Sequence, residues 1–349
     1  MSDIDISKIS QAISQKLGEK VELVTIEKIG SGFHAHGYKV TAKDGRHFFI
    51  KRVHTDEMGF EFPERKLASL LVGHNMANRF GTSPRSIGLI VENGDHSVVL
   101  PDITEETTIY NIQEFEPEGA PYNLLLDRRQ SKIAMDAEDF AELEAITDYA
   151  AKLHTLAHPS GDTTRRQALY NSGLRGEVMH PELTLTFMHD FGEEHPLLPP
   201  QKQEAYIGLV LNLLHKWKNR EDRLQPLHGD FWGANVFLRQ DKSVWVIDYS
   251  RVPWGDPGID LGRWMSQYLW YYHLTKNPYY KELGDAFLHM YQQKTGDEEI
   301  MEAISLGFIS MGVLYAIEGI YPDAPQLAKE DTYNNIIDIL KENRFHWKG

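Results

Sequence analysis

Residues His228–Leu261 read HGDFWGANVFLRQDKSVWVIDYSRVPWGDPGIDL, and their polar groups are spaced as a phosphoryl-transfer centre requires. Four residues separate Asp230 from Asn235, and twelve more lead to Asp248, which follows the apolar run Val244-Trp245-Val246-Ile247. Transfer through a loose transition state is helped chiefly by positioning and charge neutralisation. One carboxylate must orient the attacking hydroxyl and take its proton, while a carboxamide and a second carboxylate hold Mg2+ across nucleotide phosphates. The spacing therefore assigns Asp230 as base and Asn235 and Asp248 as metal ligands.

The surrounding pattern agrees with these roles. Val236-Phe237-Leu238, a turn at Gln240-Asp241-Lys242 and Val244–Ile247 read as two apolar strands of a hairpin, with Asn235 just before one and Asp248 just after the other. Two carboxylates and an amide form a hard, oxygen-rich donor set, which suits Mg2+ better than zinc. Asp and Asn are common turn residues taken singly; their number and order carry the reading.

At these residues the chain resembles the aminoglycoside phosphotransferase and choline kinase-like family, small-molecule kinases related to protein kinases. The matching motifs are H-G-D-x-x-x-x-N at His228-Gly229-Asp230 to Asn235, the metal aspartate in Ile247-Asp248-Tyr249, and G-D-P-x-x-D-L from Gly255 to Leu261. Glycine at 229, where protein kinases usually carry arginine, and the lack of an A-P-E element after Asp248 point to the small-molecule branch. The resemblance implies an α+β, bilobal protein kinase-like fold, with a small N-terminal antiparallel sheet lobe and a larger, mainly helical C-terminal lobe. It also implies that Asp260 is a buried carboxylate bracing the catalytic loop, and that His228 is a scaffold residue, a second base being the alternative.

Such a fold needs a phosphate-binding turn, a strand lysine and a helix glutamate upstream, and candidates occur in that order. Val21–Ile29 reads as a strand entering Gly30-Ser31-Gly32-Phe33-His34-Ala35-His36-Gly37, and Tyr38–Thr41 as the next strand. Backbone N–H groups at Gly30, Ser31 and Gly32 would face phosphates. The turn Lys43-Asp44-Gly45 leads to a strand at His47–Val53, where Lys51 would neutralise the α- and β-phosphates of ATP. Phe62-Pro63-Glu64 opens a helix with Leu67, Leu70, Leu71 and His74 on one face. Glu64 is the expected partner of Lys51, with Glu61 the second choice. Strands at Ile87–Val91, Val98–Leu100 and Ile109–Ile112, with a turn at Asn93-Gly94-Asp95, would complete the sheet. Gln113–Gly119 has the composition of a hinge, and by resemblance the backbone at Glu114, Phe115 and Glu116 would face the adenine. The resulting division is a nucleotide-binding lobe with an N-terminal helix at 1–112, a hinge at 113–120, and a catalytic and acceptor-binding lobe at 121–349.

Length, composition and charge set the outer bounds. The chain has 349 residues, is 41% hydrophobic, lacks cysteine, and carries a formal net charge of −15. No run of eighteen apolar residues occurs, and the acidic start MSDIDISKIS lacks an apolar export core, so a soluble, cytoplasmic protein without a membrane partner is expected. Ile6, Ile9, Ile13 and Leu17 predict a short amphipathic helix there. Disulfides and thiolate sites are excluded, and the sixteen histidines form no compact zinc motif. Residues 113–349 hold 23 Lys+Arg against 36 Asp+Glu. That field disfavours nucleic acid and attracts cations, although an acidic surface also serves solubility.

Phe140–Leu156 is helix-periodic, with Leu143, Ile146, Tyr149, Ala150 and Leu153 on one face. Thr163–Leu198 reads as a segment with two Gly/Pro-bearing turns, an apolar run at Leu183–Phe187 and acidic residues Asp190, Glu193 and Glu194, and the resemblance implies that related kinases vary there to bind acceptors. Trp264, Tyr268, Tyr271 and Tyr272 share a helix face that is either core or a stacking platform for a sugar or amine. Ile304–Ile317 and Thr332–Leu340 read as closing helices. Arg251, three residues after Asp248, would either favour an anionic acceptor or pair with a carboxylate. The expected activity is ATP- and Mg2+-dependent phosphorylation of a small-molecule hydroxyl of aminoglycoside, sugar, fructosamine or amino-alcohol type; a catalytically silent nucleotide-binding regulator is the alternative.

Overall fold

A computed structural model describes residues 5–31, 35–53, 67–68, 70–74, 78, 85–92, 108–114, 119–156, 161–179, 188, 191, 194–249, 251, 253–316 and 323–348. They form two compact units, Met1–Glu118 with Val246–Ser250, and Gly119–Trp245 with Arg251–Gly349.

The first unit is a five-stranded antiparallel sheet backed by helix α1 (Ile6–Leu17). Asp5 caps α1 by accepting from the N–H groups of Ser7 and Lys8 at 2.9 and 3.3 Å, which satisfies donors that the first turn cannot bond. Strands β1 (Leu23–Ser31), β2 (Ala35–Ala42), β3 (His47–Val53), β4 (Ser86–Glu92) and β5 (Thr108–Glu114) take the order β1-β2-β3-β5-β4. Ile9 and Ile13 of α1 join Val40, Phe48, Ile50, Ile87 and Ile112 in one apolar cluster, so the heptad-like spacing in the sequence is used for burial against the sheet.

Two expectations shift here. The β1–β2 ladder continues through Gly30↔Gly37 and Ser31↔His36, so much of the glycine-rich stretch is hairpin strand. Likewise Gln113 and Glu114 are the last residues of β5, paired with Phe49 and Phe48, where a hinge was expected; their alternation with the β3 side chains keeps them in the ladder. Gly32, His34, Phe62–Glu64, Glu61, Asn93–Asp95, Val98–Leu100, Phe115, Glu116, Leu183–Phe187, Asp190 and Glu193 lie outside the described residues.

The second unit is built on helices α2 (Tyr122–Arg128), α3 (Ala137–His154), α4 (Thr163–Met179), α5 (Pro200–Trp217), α6 (Pro257–Thr275), α7 (Pro278–Thr295), α8 (Ile300–Ala303), α9 (Phe308–Leu314) and α10 (Gln326–Glu342). Short strands β6 (Ala120–Pro121), β8 (Val236–Leu238) and β9 (Val244–Val246) make one small sheet, and β7 (Gln225–Pro226) pairs with β10 (Trp254–Gly255). The expected hairpin is therefore β8–β9, with Lys242 at φ 65° in its turn. Helix α6 is the centre: nearly every side chain from Pro257 to Tyr271 is buried.

Helix α4 runs through the first part of Thr163–Leu198, including Gly173, where a Gly-bearing turn was expected. Gly173 lies inside the helix because a Cβ there would come within 2.4 Å of the Trp254 carbonyl and 2.8 Å of Gly255 Cα. It marks a close helix-to-strand approach and no turn. Of the aromatic stripe, Trp264, Tyr268 and Tyr271 are core and Tyr272 is half-buried; Trp264 stacks on Tyr122 at 5.1 Å and on Phe231 at 4.9 Å. No described helix is long and apolar enough to cross a membrane.

Candidate active site

The loop that follows β7 carries His228, Gly229 and Asp230, and its conformation is fixed from α6. Asp256 starts that helix: its side chain accepts from Gly258 N at 2.9 Å, with Pro257 at the first helical position. Arg223 grips the same carboxylate at 2.7 and 3.1 Å, and Tyr170 Oη donates to it at 2.9 Å. Burial, together with the Asp256 charge, pushes the Tyr170 hydroxyl far above its ordinary value, so it stays a donor.

One turn into α6, Asp260 is fully buried and accepts from the backbone N–H of His228 at 2.7 Å and of Gly229 at 2.8 Å. His154 of α3 contacts the same carboxylate through Nε2 at 3.1 Å. Burial works to raise the Asp260 pKa, but the hydrogen bond and charge of His154 and the backbone donors outweigh it and hold the group below the usual carboxylate range. The bracing role implied for Asp260 is what the geometry provides. Gly229 takes φ 80°, a left-handed conformation that glycine adopts without a Cβ clash. His228 is buried, and its Nδ1 accepts from Asp230 N at 3.1 Å, so that nitrogen carries no proton and serves the loop.

Asp230 is thereby presented with its carboxylate part-exposed. Its Oδ1 lies 3.1 Å from Arg263 Nη1 and 3.0 Å from Arg251 Nη1; its Oδ2 accepts from Asn235 Nδ2 at 3.1 Å. Asn235 Nδ2 also donates to the Asp230 carbonyl at 2.9 Å, which commits the amide nitrogen to the loop and makes Oδ1 the atom it can offer a cation. Arg263 is itself buried, and its Nη2 spans both oxygens of Glu177 at 3.1 and 2.9 Å. Burial raises the Glu177 pKa, opposed first by the Arg263 charge.

In the first unit, Lys51 stands on the inner strand β3, opposite Gly37 of β2 and Asn111 of β5. Its Nζ is 2.7 Å from Asp248 Oδ1. Asp248 has φ 67°, in the left-handed region where Asp is one of the more tolerated non-glycine residues. The structure thus joins Lys51 to Asp248 and Asp230 to Asn235, each pair within one unit. Gly30 and Ser31 are described as backbone of β1 and Glu114 as backbone of β5; Glu64, Glu61, Gly32, Phe115 and Glu116 fall outside the described residues.

Three residues of the site escaped the sequence. Arg263 and Gln267, whose Oε1 accepts from Gly233 N at 3.1 Å, follow Asp260 at helical spacings of three and seven, and that period was the signal available. Glu177 sits in the segment that reads as turns and had no comparable signal. Among the described residues no cluster of three or more His, Asp or Glu side chains is arranged to hold a metal alone. A cation with few protein ligands, its shell completed by phosphate and water, is the kind this donor set fits.

A model of the phosphotransferase enzyme family, APH, matches residues 25–304. Comparison with curated protein sequences finds no match. Among solved structures the chain is similar to aminoglycoside phosphotransferase APH(4)-Ia, at 12% identity and a TM-score of 0.54, over 97% of this chain and 99% of that one. It is also similar to the amicoumacin kinase hAmiN in complex with AMP-PNP, Ca2+ and Ami, at 11% identity and 0.53, over 96% and 94%. An ethanolamine kinase of Plasmodium vivax aligns at 12% and 0.51, over 91% and 82%. At such identities the likeness shows the fold, which is protein kinase-like.

Proposed function

The chain belongs to the phosphotransferase enzyme family and is a small-molecule phosphotransferase acting on hydroxyl groups, and on that premise we propose that it moves the γ-phosphate of ATP, with Mg2+, to a small polar metabolite or antibiotic in the cytoplasm. The observation that carries this reading is the treatment of Asp230: a loop without regular structure is braced through Asp260, and its carboxylate is left part-exposed between Asn235 and two arginines.

Asp230 orients the acceptor hydroxyl and takes its proton late in the transfer, as a positioned carboxylate does in related chemistry. Lys51 neutralises the α- and β-phosphates; in the structure Asp248 is its counter-ion. Asn235, through Oδ1, and Asp248, through its carboxylate, are the residues that would hold Mg2+, and both are the hard oxygen donors that this ion prefers. When bound, Mg2+ neutralises charge on the nucleotide phosphates. The backbone at Gly30, Ser31 and Gly32 is assigned to the phosphates, and that at Glu114, Phe115 and Glu116 to the adenine, with Glu64 the helix carboxylate for Lys51.

The test is ATP turnover across a panel of hydroxyl acceptors with wild type and Asp230→Asn. Loss of general-base function lowers kcat by about 100- to 10,000-fold, with little change in ATP binding followed by calorimetry. Full activity in the Asp230 variant, or turnover indifferent to chelation of Mg2+, refutes the assignment.

A further inference from the structure

A polar cavity of about 320 Å3 lies wholly within the first unit, lined by the side chains of Lys16, His74, Asn78, Arg85 and Ser86. Lys16 comes from the last turn of α1, Arg85 immediately precedes β4, and Ser86 opens that strand. Gly30, Ser31, Lys51, Glu114 and Asp248, the described residues of this unit assigned to nucleotide and metal, are not among its lining residues. Nor, among the described residues, is any acidic side chain. The sequence around it is locally basic: α1 holds two lysines and residues 65–91 hold four Lys+Arg, with no Asp or Glu in either stretch, in a chain of net charge −15. A cavity that gathers cations against the sign of the whole molecule is suited to an anion.

The hydrogen bonds show which groups such an anion can use. Ser86 Oγ is 3.0 Å from Asn111 Oδ1 and 3.3 Å from the Ile112 carbonyl, both acceptors, so its hydroxyl proton is spent there. It therefore accepts from His74 Nδ1 at 2.9 Å, which leaves Nε2 as the ring nitrogen able to gain a proton. Asn78 Nδ2 donates to the Ser86 carbonyl at 2.8 Å and is held as well. Burial, and after it the charge of Lys16, keep the His74 ring below its ordinary pKa. An anion beside Lys16 would offset that charge. Arg85 Nη2 meets Glu114 Oε1 at 3.1 Å with the two side chains 65% and 47% exposed, and exposed pairs of this kind are weak. Its guanidinium is therefore available to a ligand.

We propose that this cavity binds a small organic phosphate monoester, with Lys16 and Arg85 as the charged contacts of its phosphate group. The charge argues for phosphate: near neutral pH a monoester carries about −1.5 to −2, which two cations balance, whereas a carboxylate brings one. Arginine offers a planar fork to the phosphate oxygens and lysine a compact point charge. Size and lining argue for an organic ester. The volume of about 320 Å3 is at the lower end of ordinary ligand pockets, about 300–1,000 Å3, and Leu17 and Ile87 give the cavity an apolar side. The site stands on the first unit alone and does not depend on the role of Asp230.

The experiment is a calorimetric titration of the full chain, saturated with AMP-PNP and Mg2+, with glycerol 3-phosphate and glucose 6-phosphate, and with inorganic phosphate and gluconate for comparison, at constant ionic strength. Wild type, Lys16→Gln and Arg85→Gln are set against Lys216→Gln, which removes an exposed charge of α5. The expected result is one ester bound per chain, with Kd raised about 10-fold or more in Lys16→Gln and in Arg85→Gln, the scale of a hydrogen bond to a charged group, and unchanged in Lys216→Gln. An ester whose affinity ignores Lys16 and Arg85 is bound elsewhere, in the acceptor site or on the surface, and overturns the proposal. Equal weakening in Lys216→Gln, or no saturable binding, overturns it too. Inorganic phosphate or gluconate binding as tightly as the esters would refute the ligand class, and binding only to vesicles that contain phosphatidic acid, followed by co-sedimentation, would refute a small-molecule source. Failure of AMP-PNP to bind strikes the proposed function instead, and the titration still decides, because the two variants report on the cavity.

Discussion

Replacing Asp260 by asparagine tests whether the catalytic loop is held as the structure describes. The carboxylate is fully buried and accepts from His228 N, Gly229 N and His154 Nε2 at 2.7, 2.8 and 3.1 Å. An asparagine keeps the shape but offers one carbonyl oxygen, and turns an NH2 group toward a second donor. One buried N–H is left without an acceptor, costing about 1–3 kcal/mol, and the contact with His154 loses its charge. Together the change should cost about 3–5 kcal/mol, the range for breaking a buried pair from one side. A domain with about 5–15 kcal/mol to lose remains folded at the upper end of that range. Urea unfolding should show a lower midpoint at an unchanged m value, and kcat should fall about 100-fold, as a misplacement near 1 Å does. The acid limb gives an independent sign. Because the folded pKa of Asp260 is depressed, its contribution to stability is present above the unfolded value near 3.8 and is lost as pH falls through the lower folded value. The wild type therefore loses stability below about pH 4 more steeply than Asp260→Asn does. A variant with unchanged midpoint, unchanged kcat and the wild-type acid limb would refute the bracing argument.

Two further perturbations probe the same loop and the lysine strand. Gly229→Ala puts a Cβ at φ 80° and should cost about 1–2 kcal/mol in unfolding free energy, with a fall in kcat larger than the fall in ATP affinity; wild-type kcat would show that the loop tolerates another path. Lys51→Met removes the counter-ion of Asp248 and should raise the KM for ATP and lower kcat while leaving the thermal midpoint within a few degrees, because both side chains are partly exposed and such pairs contribute about 0–1 kcal/mol. Steady-state kinetics with calorimetric ATP titration separates those effects.

What the sequence made legible is what period and turn chemistry encode. Helix α1 was visible in the spacing of Ile6, Ile9, Ile13 and Leu17, and the β8–β9 hairpin in two apolar runs around Gln240–Lys242. The polar residues of the loop could be placed because they occur in order at that hairpin's ends. Helix α4 was not legible, since its apolar residues do not gather on one face and its glycine at 173 serves a close approach that only tertiary structure reveals. The end of β5 was misplaced because Gln113 and Glu114 have hinge-like composition yet sit in a ladder with Phe49 and Phe48. The aromatic face of α6 was visible as a face, but whether it met solvent or core was decided by Tyr122, Phe231 and Phe287 packing on Trp264.

The backbone of the loop explains why α6 is the element that matters. Residues 228–233 belong to no strand or helix, so their N–H groups need individual partners if they are to be buried. Those of His228 and Gly229 reach Asp260, that of Asp230 reaches the His228 ring, and that of Gly233 reaches Gln267. At about 100° per residue, Asp260, Arg263, Trp264 and Gln267 fall on one stripe of α6. At about 1.5 Å per residue, Asp260 and Gln267 are about 10 Å apart along the axis. A single rigid helix can therefore satisfy both ends of the loop, while Arg263 between them takes the Asp230 carboxylate and Trp264 stacks on Phe231. Regular secondary structure would have bonded the same N–H groups, but its side chains would then have followed a helical or strand period. An irregular loop fixed by side-chain acceptors is free of that constraint, and it can present Asp230 at the surface while its neighbours His228 and Phe231 are buried. The charge that Arg263 places beside Asp230 is thus a consequence of using α6 as the brace, and Glu177 neutralises it.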